Sequence, residues 1–226
     1  MTRSSNGDED VKEVVRRYWN GRADSYDDDG ISGVRADEQR EAWLAVLRRW
    51  TGDPPRRVLD LGCGTGTISL LLAELGHDVS GVDLTPEMLE RARAKAREAG
   101  LSIDFGLGDA EALPVPDDTY DVATARHLIW TLPNPSKAIR EWRRVVRPGG
   151  RIVLLEGHWD FPEPWEEYRE IHDDLPLYRG RPPGELVDFL ADHGLERIER
   201  EPLMDATLWG EDPEQELYVV GIDVPK

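Results

Sequence analysis

The stretch Val58-Leu-Asp-Leu-Gly62-Cys-Gly64-Thr-Gly66 decides how the chain is read. Residues 57–61 form an apolar run of strand length, and residues 67–75 read as a helix stopped by Gly76. The turn between them carries three glycines, which permit backbone angles and a close ligand approach that a Cβ would block. Their spacing is Gly-x-Gly-x-Gly, not the Gly-x-Gly-x-x-Gly of dinucleotide folds, and Asp60 stands directly before them. A carboxylate there repels a pyrophosphate and suits a ligand carrying an ammonium group.

Outward from this turn the chain alternates strand and helix. Strands are expected at 78–83, 102–107, 120–125 and 151–156, with helices at 86–99 and 135–146. Pro86 stands at the first turn of one helix and Gly100 follows its end; Pro148-Gly149-Gly150 turns the chain into the fifth strand. Strands separated by helices of this length imply a doubly wound, mostly parallel α/β sheet. Residues 157–182, rich in aromatics and proline, are expected to form an inserted cap over the sheet's carboxyl edge. A helix at 183–193 and a hairpin of 196–201 with 216–222 follow. The N-terminal extension, 1–55, is expected to hold an acidic tail at 1–10, a helix from about Asp10 as N-cap to Arg22, a loop at 24–30 and a second helix at 37–50. The whole reads as a single domain of 226 residues with its core at 56–156 and its last helix and hairpin at 183–226.

Composition narrows the function. There are 28 basic and 46 acidic residues, a net charge of −18 that disfavours nucleic acid and anionic membranes as partners. No apolar run reaches the roughly 18 residues of a membrane span, and the polar N-terminus lacks a signal-peptide pattern, so a cytoplasmic location is expected. One cysteine, Cys63, and five scattered histidines suggest no metal site. Only four basic residues are lysine: Lys12, Lys95, Lys137 and Lys226. Such acid-rich, lysine-poor composition resembles that of halophilic archaea, although an Arg-favouring genome alone explains the Arg excess but not the acidity.

Taken together, residues 56–156 resemble the class I S-adenosylmethionine (SAM) dependent methyltransferases. The resemblance implies a seven-stranded sheet whose last strand is antiparallel, and SAM as cofactor. By it, Asp60, Gly62, Cys63, Gly64 and Gly66 form the turn under the amino-acid part of SAM. Asp83, ending Val79-Ser-Gly-Val-Asp-Leu84, takes both ribose hydroxyls, while Leu84 and Met88 flank the adenine. Asp109 in Gly108-Asp-Ala110 takes the adenine amino group, with Ala110 beside it. Leu113-Pro-Val-Pro116, Tyr120-Asp121 and Arg147-Pro-Gly-Gly150 fit the family's path through strands four and five. The segment Tyr18-Trp-Asn-Gly-Arg22-Ala-Asp-Ser-Tyr26-Asp27 resembles an element that folds over SAM; Tyr18 and Tyr26 would close on the cofactor, and Arg22 would meet its carboxylate. Asp83 is equally suited to capping the next helix, and Asp109 to an ordinary turn.

The acceptor side follows strand four, in Ala125-Arg126-His127-Leu-Ile-Trp130. It lacks the Asn/Asp-Pro-Pro-Tyr pattern of nucleic-acid amino-methylating enzymes and resembles the small-molecule branch. His127 is the candidate catalytic base or orienting group, or else a hydrogen-bonded histidine shaping the SAM pocket. Arg126 meets an anionic substrate or pairs with a nearby carboxylate. Trp130, His158, Trp159 and Tyr178 are candidate acceptor contacts, or members of an aromatic core. His77 and His193, beside Gly76 and Gly194, read as solvated helix-end residues. The resulting expectation is methyl transfer to a small molecule by a monomer or homodimer. Its alternatives are methylation of a quinone or lipid-ring precursor, a non-catalytic SAM-binding sensor or partner protein, and an NAD-dependent oxidoreductase; the glycine spacing disfavours the last.

Overall fold

A computed structural model describes residues 5–28, 30–159 and 161–225. Among these residues seven strands form: β1 (Arg57–Leu61), β2 (Asp78–Asp83), β3 (Asp104–Leu107), β4 (Tyr120–Arg126), β5 (Val146–His158), β6 (Ile198–Pro202) and β7 (Glu216–Asp223). They make one sheet in the order β3-β2-β1-β4-β5-β7-β6. Strands β1 to β5 are mutually parallel, and β7 lies antiparallel to both of its neighbours. The helices are α1 (Ser5–Arg22), α2 (Asp37–Thr51), α3 (Thr67–Glu74), α4 (Pro86–Glu98), α5 (Pro135–Val145), α6 (Pro183–Asp192) and α7 (Ala206–Trp209).

Successive side chains of a strand point to opposite faces, and here both faces are covered, which is why the central strands read as continuous apolar runs. Val58, Val122, Val153, Leu217 and Val219 join one core with Val11 and Val15 of α1, Trp43 and Leu47 of α2 and Leu72 of α3. Their neighbours Leu59, Ala123, Leu154 and Val220 join a second with Ile139 and Trp142 of α5 and Leu190 of α6. A smaller cluster seats Leu89, Ala92 and Ala96 of α4 against Phe105 and Cys63. Strand order reverses between β1 and β4, which opens a crevice at their carboxyl ends, the place where open α/β sheets receive ligands.

Local differences from the sequence expectation have identifiable causes. Helix α1 begins at Ser5, so Asp10 lies inside it and is not its cap; residues 1–4 of the expected tail lie outside the described residues. Strand β5 starts at Val146, because Pro148-Gly149-Gly150 forms a bulge, with register running from Tyr120↔Val146 to Val122↔Arg151. Gly149 has φ 79° and donates its N–H to the Val224 carbonyl at 2.9 Å, which ties that bulge to the chain end. Helix α7 was not foreseen; Asp205 caps it by accepting the Thr207 N–H at 2.9 Å. Among the described residues of the cap the helical elements are two 3₁₀ turns, Glu166–Tyr168 and His172–Asp174. Asp160 of the cap and Asp29 of the 24–30 loop lie outside the described residues. Among the described residues no helix is long and apolar enough to cross a membrane.

Candidate functional site

A cavity of about 520 Å³ occupies the crevice at the carboxyl ends of β1, β2 and β4. The glycine turn forms its floor. Gly62, Gly64 and Gly66 have φ of 58°, 54° and 81°, in the left-handed region where a side chain is strained. A Cβ on Gly62 would also come within 2.6 Å of Leu128 Cδ1, so a side chain there would displace Leu128 as well as strain the backbone.

Asp83, at the end of β2, faces this cavity. Its Oδ2 accepts the Gly64 N–H at 2.8 Å, and its Oδ1 accepts both the N–H and the hydroxyl of Thr85. The carboxylate thus braces the glycine turn and the start of α4 together. Oδ1 is taken twice and Oδ2 once, so of about four acceptor positions one, on Oδ2, is left for a hydroxyl, where the resemblance implies two. Burial raises the pKa of Asp83, against the pull of these hydrogen bonds. Leu84, Met88 and Ala110 line the wall beyond it, and Asp109 lies further along. Ala110 is held in place by Trp142, whose Nε1 donates to its carbonyl at 3.0 Å. Asp109 is already engaged: Oδ2 accepts Lys12 Nζ at 2.8 Å, and Oδ1 accepts the Glu111 N–H.

Tyr18, Arg22 and Tyr26 line the opposite wall, as the N-terminal resemblance implies, and so do Arg126, His127, Trp130 and Trp159. The other expected residues do not reach the cavity. Asp60 lies beneath the turn, 2% exposed, accepting the hydroxyls of Ser69 at 2.5 Å and Thr124 at 2.9 Å. It therefore ties β1 to α3 and β4 and offers nothing to an ammonium group; burial lifts its carboxyl to about 6. Cys63 is buried against Phe105, its thiol pushed up by desolvation, and Gly66 is crowded by Ala92, Leu70 and Phe105. His158 pairs with Glu216 and Gly180 along the strand edge. Tyr178 is buried behind the wall, accepting the Trp165 N–H at 3.1 Å and stacking on Tyr168.

His127 directly follows β4 at φ 53°, in the left-handed region, with its N–H held by the Leu155 carbonyl at 2.9 Å. Among the described residues Nε2 of the ring is buried without a hydrogen-bond partner; Trp159 meets the ring edge-on at 4.9 Å and Trp209 stacks at 6.2 Å. A hydrogen-bonded structural histidine is therefore not what the fold contains. Burial and then the Arg126 charge hold its pKa well below 6.5, so it is neutral at pH 7. Arg126 lines the cavity, donates to the Ser32 carbonyl at 2.6 Å and lies over Trp43, and its charge pulls against the upward shift of Asp60. His77 is not solvated but buried against Thr51, and His193, half-buried, joins Ser136 to the Phe189 carbonyl.

The cavity also contains residues for which the sequence pattern implies no individual role, Trp19 and Trp165 standing only within the N-terminal element and the aromatic cap. Lys12, Trp19, Phe161, Trp165 and Gln215 line it, drawn from α1, the cap and the loop before β7. The aromatic density of the cap was the available signal for Phe161 and Trp165; nothing local marked Lys12 or Gln215. Glu156, 2% exposed behind the loop, accepts the N–H groups of Leu128 and Ile129 at 3.1 and 3.2 Å and so fixes the segment that follows His127. No group of three or more metal-ligating side chains is found among the described residues.

Comparison with known proteins bears on this arrangement. Residues 59–154 match the family described as methyltransferase domain. The chain is 44% identical over 112 residues to a demethylmenaquinone methyltransferase of Thermus thermophilus, covering 49% of each protein. It is 38% identical over 147 residues to a ubiquinone/menaquinone biosynthesis C-methyltransferase of Ruegeria sp., covering 63% of this chain and 58% of that one. The chain thus spans about half to three fifths of the length of these curated relatives. Among solved structures, the [4+2]-cyclase SpnF is similar with a TM-score of 0.65 at 23% identity, over 82% of this chain and 80% of that one. A Haemonchus contortus phosphoethanolamine N-methyltransferase 2 in complex with S-adenosyl-L-methionine gives 0.64 at 18% identity, over 82% and 53%. A cyclase and an N-methyltransferase share this architecture, so the fold by itself does not choose a reaction.

Proposed function

We propose that the chain binds SAM in this cavity and transfers its methyl group to a small-molecule acceptor. The donor set carries the reading. Two carboxylates, Asp83 and Asp109, flank an apolar wall of Leu84, Met88 and Ala110 above a glycine floor, and this set fits an adenosine with its diol, flat ring and amino group. The methyltransferase-domain match over 59–154 supports the same group. Bound there, SAM supplies an electrophilic methyl on a sulfonium.

The chain's own residues orient and exclude. Asp83 accepts from a hydroxyl through Oδ2, and the neighbouring walls hold a flat ring. Tyr18, Tyr26 and Trp19 close one side against water. His127, neutral at pH 7, is able to take a proton from the acceptor as the methyl arrives. Its depressed pKa makes it a weak base, which suits an acceptor whose proton is already acidic. The half of the cavity around Trp19, Trp130, Trp159, Phe161 and Trp165 is walled by aromatics, which favours a flat ring. This supports the quinone-precursor reading within the proposal, in keeping with the names of the relatives from Thermus and Ruegeria. The acidic, lysine-poor composition supports a salt-rich working milieu.

Calorimetric titration of SAM, S-adenosylhomocysteine and NAD in concentrated KCl tests the proposal. Saturable one-site binding of the first two and none of NAD is expected. Folded protein that binds neither SAM nor S-adenosylhomocysteine would refute it. Turnover of SAM with an acceptor then separates an enzyme from a sensor.

A further inference from the structure

Two of the four lysines in a chain that otherwise uses arginine, 24 times, hold one segment against the cavity. That segment, residues 5–28 and 30–35, supplies the wall containing Tyr18, Trp19, Tyr26, Ile31 and Ser32. Lys95 of α4 places Nζ 2.9 Å from Asp27 Oδ2, 3.2 Å from Thr65 Oγ1 and 3.3 Å from Thr67 Oγ1. Asp27 Oδ1 in turn accepts Thr65 Oγ1 at 2.7 Å. This knot fastens the residue beside Tyr26 to the glycine turn and to α4, with the Tyr26 ring 3.9 Å from where a Cβ on Gly64 would stand. Lys12 of α1 makes the second knot, with Nζ 2.8 Å from both Asp109 Oδ2 and Glu111 Oε2. Glu111 also accepts the Asn134 N–H at 2.7 Å, at the cap of α5. One knot joins the segment to the glycine turn, and the other joins it to Asp109.

We propose that Lys95 and Lys12 are positioning residues that set how tightly the cavity holds its ligand and how fast it lets go, by clasping α1 and the Tyr26–Asp28 turn over the site. The inference rests on the SAM reading. Exchange of a ligand behind this wall loosens the wall, and the clasps are two of the charged contacts that part, beside the Arg91–Asp24 ion pair and Arg126 on the Ser32 carbonyl. Lysine is suited to both places, because a compact ammonium presents three donors in three directions to oxygens crowded around one point. A guanidinium is planar, longer and forked, and does not reproduce that contact. Burial lowers the Lys95 pKa and Asp27 opposes it. Burial likewise works against the Lys12 charge, but its hydrogen bonds to Asp109 and Glu111 outweigh that and the net shift is upward. Both ammonium groups thus depend on the carboxylates they clasp.

The test uses the full chain with Lys95→Arg, Lys12→Arg, Asp27→Asn, the Lys95→Arg/Asp27→Asn pair and Lys137→Arg as control. Lys137 lies on α5, away from the cavity. S-adenosylhomocysteine affinity is measured by calorimetry and its release rate by stopped-flow displacement, with melting temperature alongside. Each charge-preserving or isosteric clasp variant is expected to speed release by about tenfold while melting close to wild type. The double variant should lose no more than the worse of its two singles, because both break one knot. Lys137→Arg should match wild type. Wild-type binding with unchanged release in the clasp variants overturns the clasp alone, as does additive loss in the pair. A wild-type chain that does not bind S-adenosylhomocysteine overturns the SAM reading and the clasp with it. If Lys95→Arg fails to fold, Asp27→Asn, which keeps shape and removes only charge, decides.

Discussion

Replacing Glu156 by Gln should change how stability depends on pH. Glu156 lies at the carboxyl end of β5, with Oε1 accepting the Leu128 and Ile129 N–H groups and Oε2 buried without a partner. Burial pushes its carboxyl up to about 8 from the ordinary 4.5, overcoming the two hydrogen bonds, which pull it down. The folded chain therefore keeps a proton that the unfolded chain gives up. Where the native state binds more protons, stability falls as pH rises, so this contribution is whole below 4.5 and is lost as pH climbs through about 8. At about 1.36 kcal/mol per pH unit, the window between those values amounts to at most about 5 kcal/mol. Glutamine keeps an acceptor oxygen for both N–H groups and has nothing to titrate. Urea unfolding followed by circular dichroism should show wild type and Glu156→Gln close together near pH 5. Near pH 8.5 the variant should be more stable by roughly 3–5 kcal/mol. Stability curves that stay parallel across the range would refute the assignment of a protonated Glu156.

Asp83→Ala should weaken SAM binding by about 1.5–3 kcal/mol, the scale of hydrogen bonds to a charged group, and unchanged affinity by calorimetry would remove the ribose assignment. Because burial and Arg126 keep the His127 pKa well below 6.5, methyl-transfer rates with an identified acceptor should stay level from about pH 6.5 to 8 and fall only in acid. His127→Ala should keep cofactor affinity and lose most turnover; activity within a few-fold of wild type would reduce the residue to a wall of the cavity. If salt screening supports the acidic surface, melting temperature should climb steadily with KCl, and a flat response would count against a salt-rich milieu.

Local pattern along the chain accounts for the sheet and for where its cavity opens. Apolar runs of strand length alternating with helices give the parallel core, because each run must bury both of its faces, and a turn of three glycines between a strand and a helix marks where a ligand can approach the backbone. Asp83, Leu84, Met88, Asp109 and Ala110 were legible since each sits at the end of a strand or start of a helix that local pattern locates. What lies on the line between facing and passing beneath the cavity was not. Asp60 adjoins the glycine turn in sequence, yet the strand directs it to Ser69 and Thr124, beneath the turn. Lys12 reaches Asp109 across 97 residues and Lys95 reaches Asp27 across 68, so neither partnership leaves a local trace. The same holds for Phe161, Trp165 and Gln215, which enter the cavity because the cap and the loop before β7 fold back over the crevice. Periodicity encodes which face of an element is buried; which side chains meet across the fold depends on distances that only the packed chain sets.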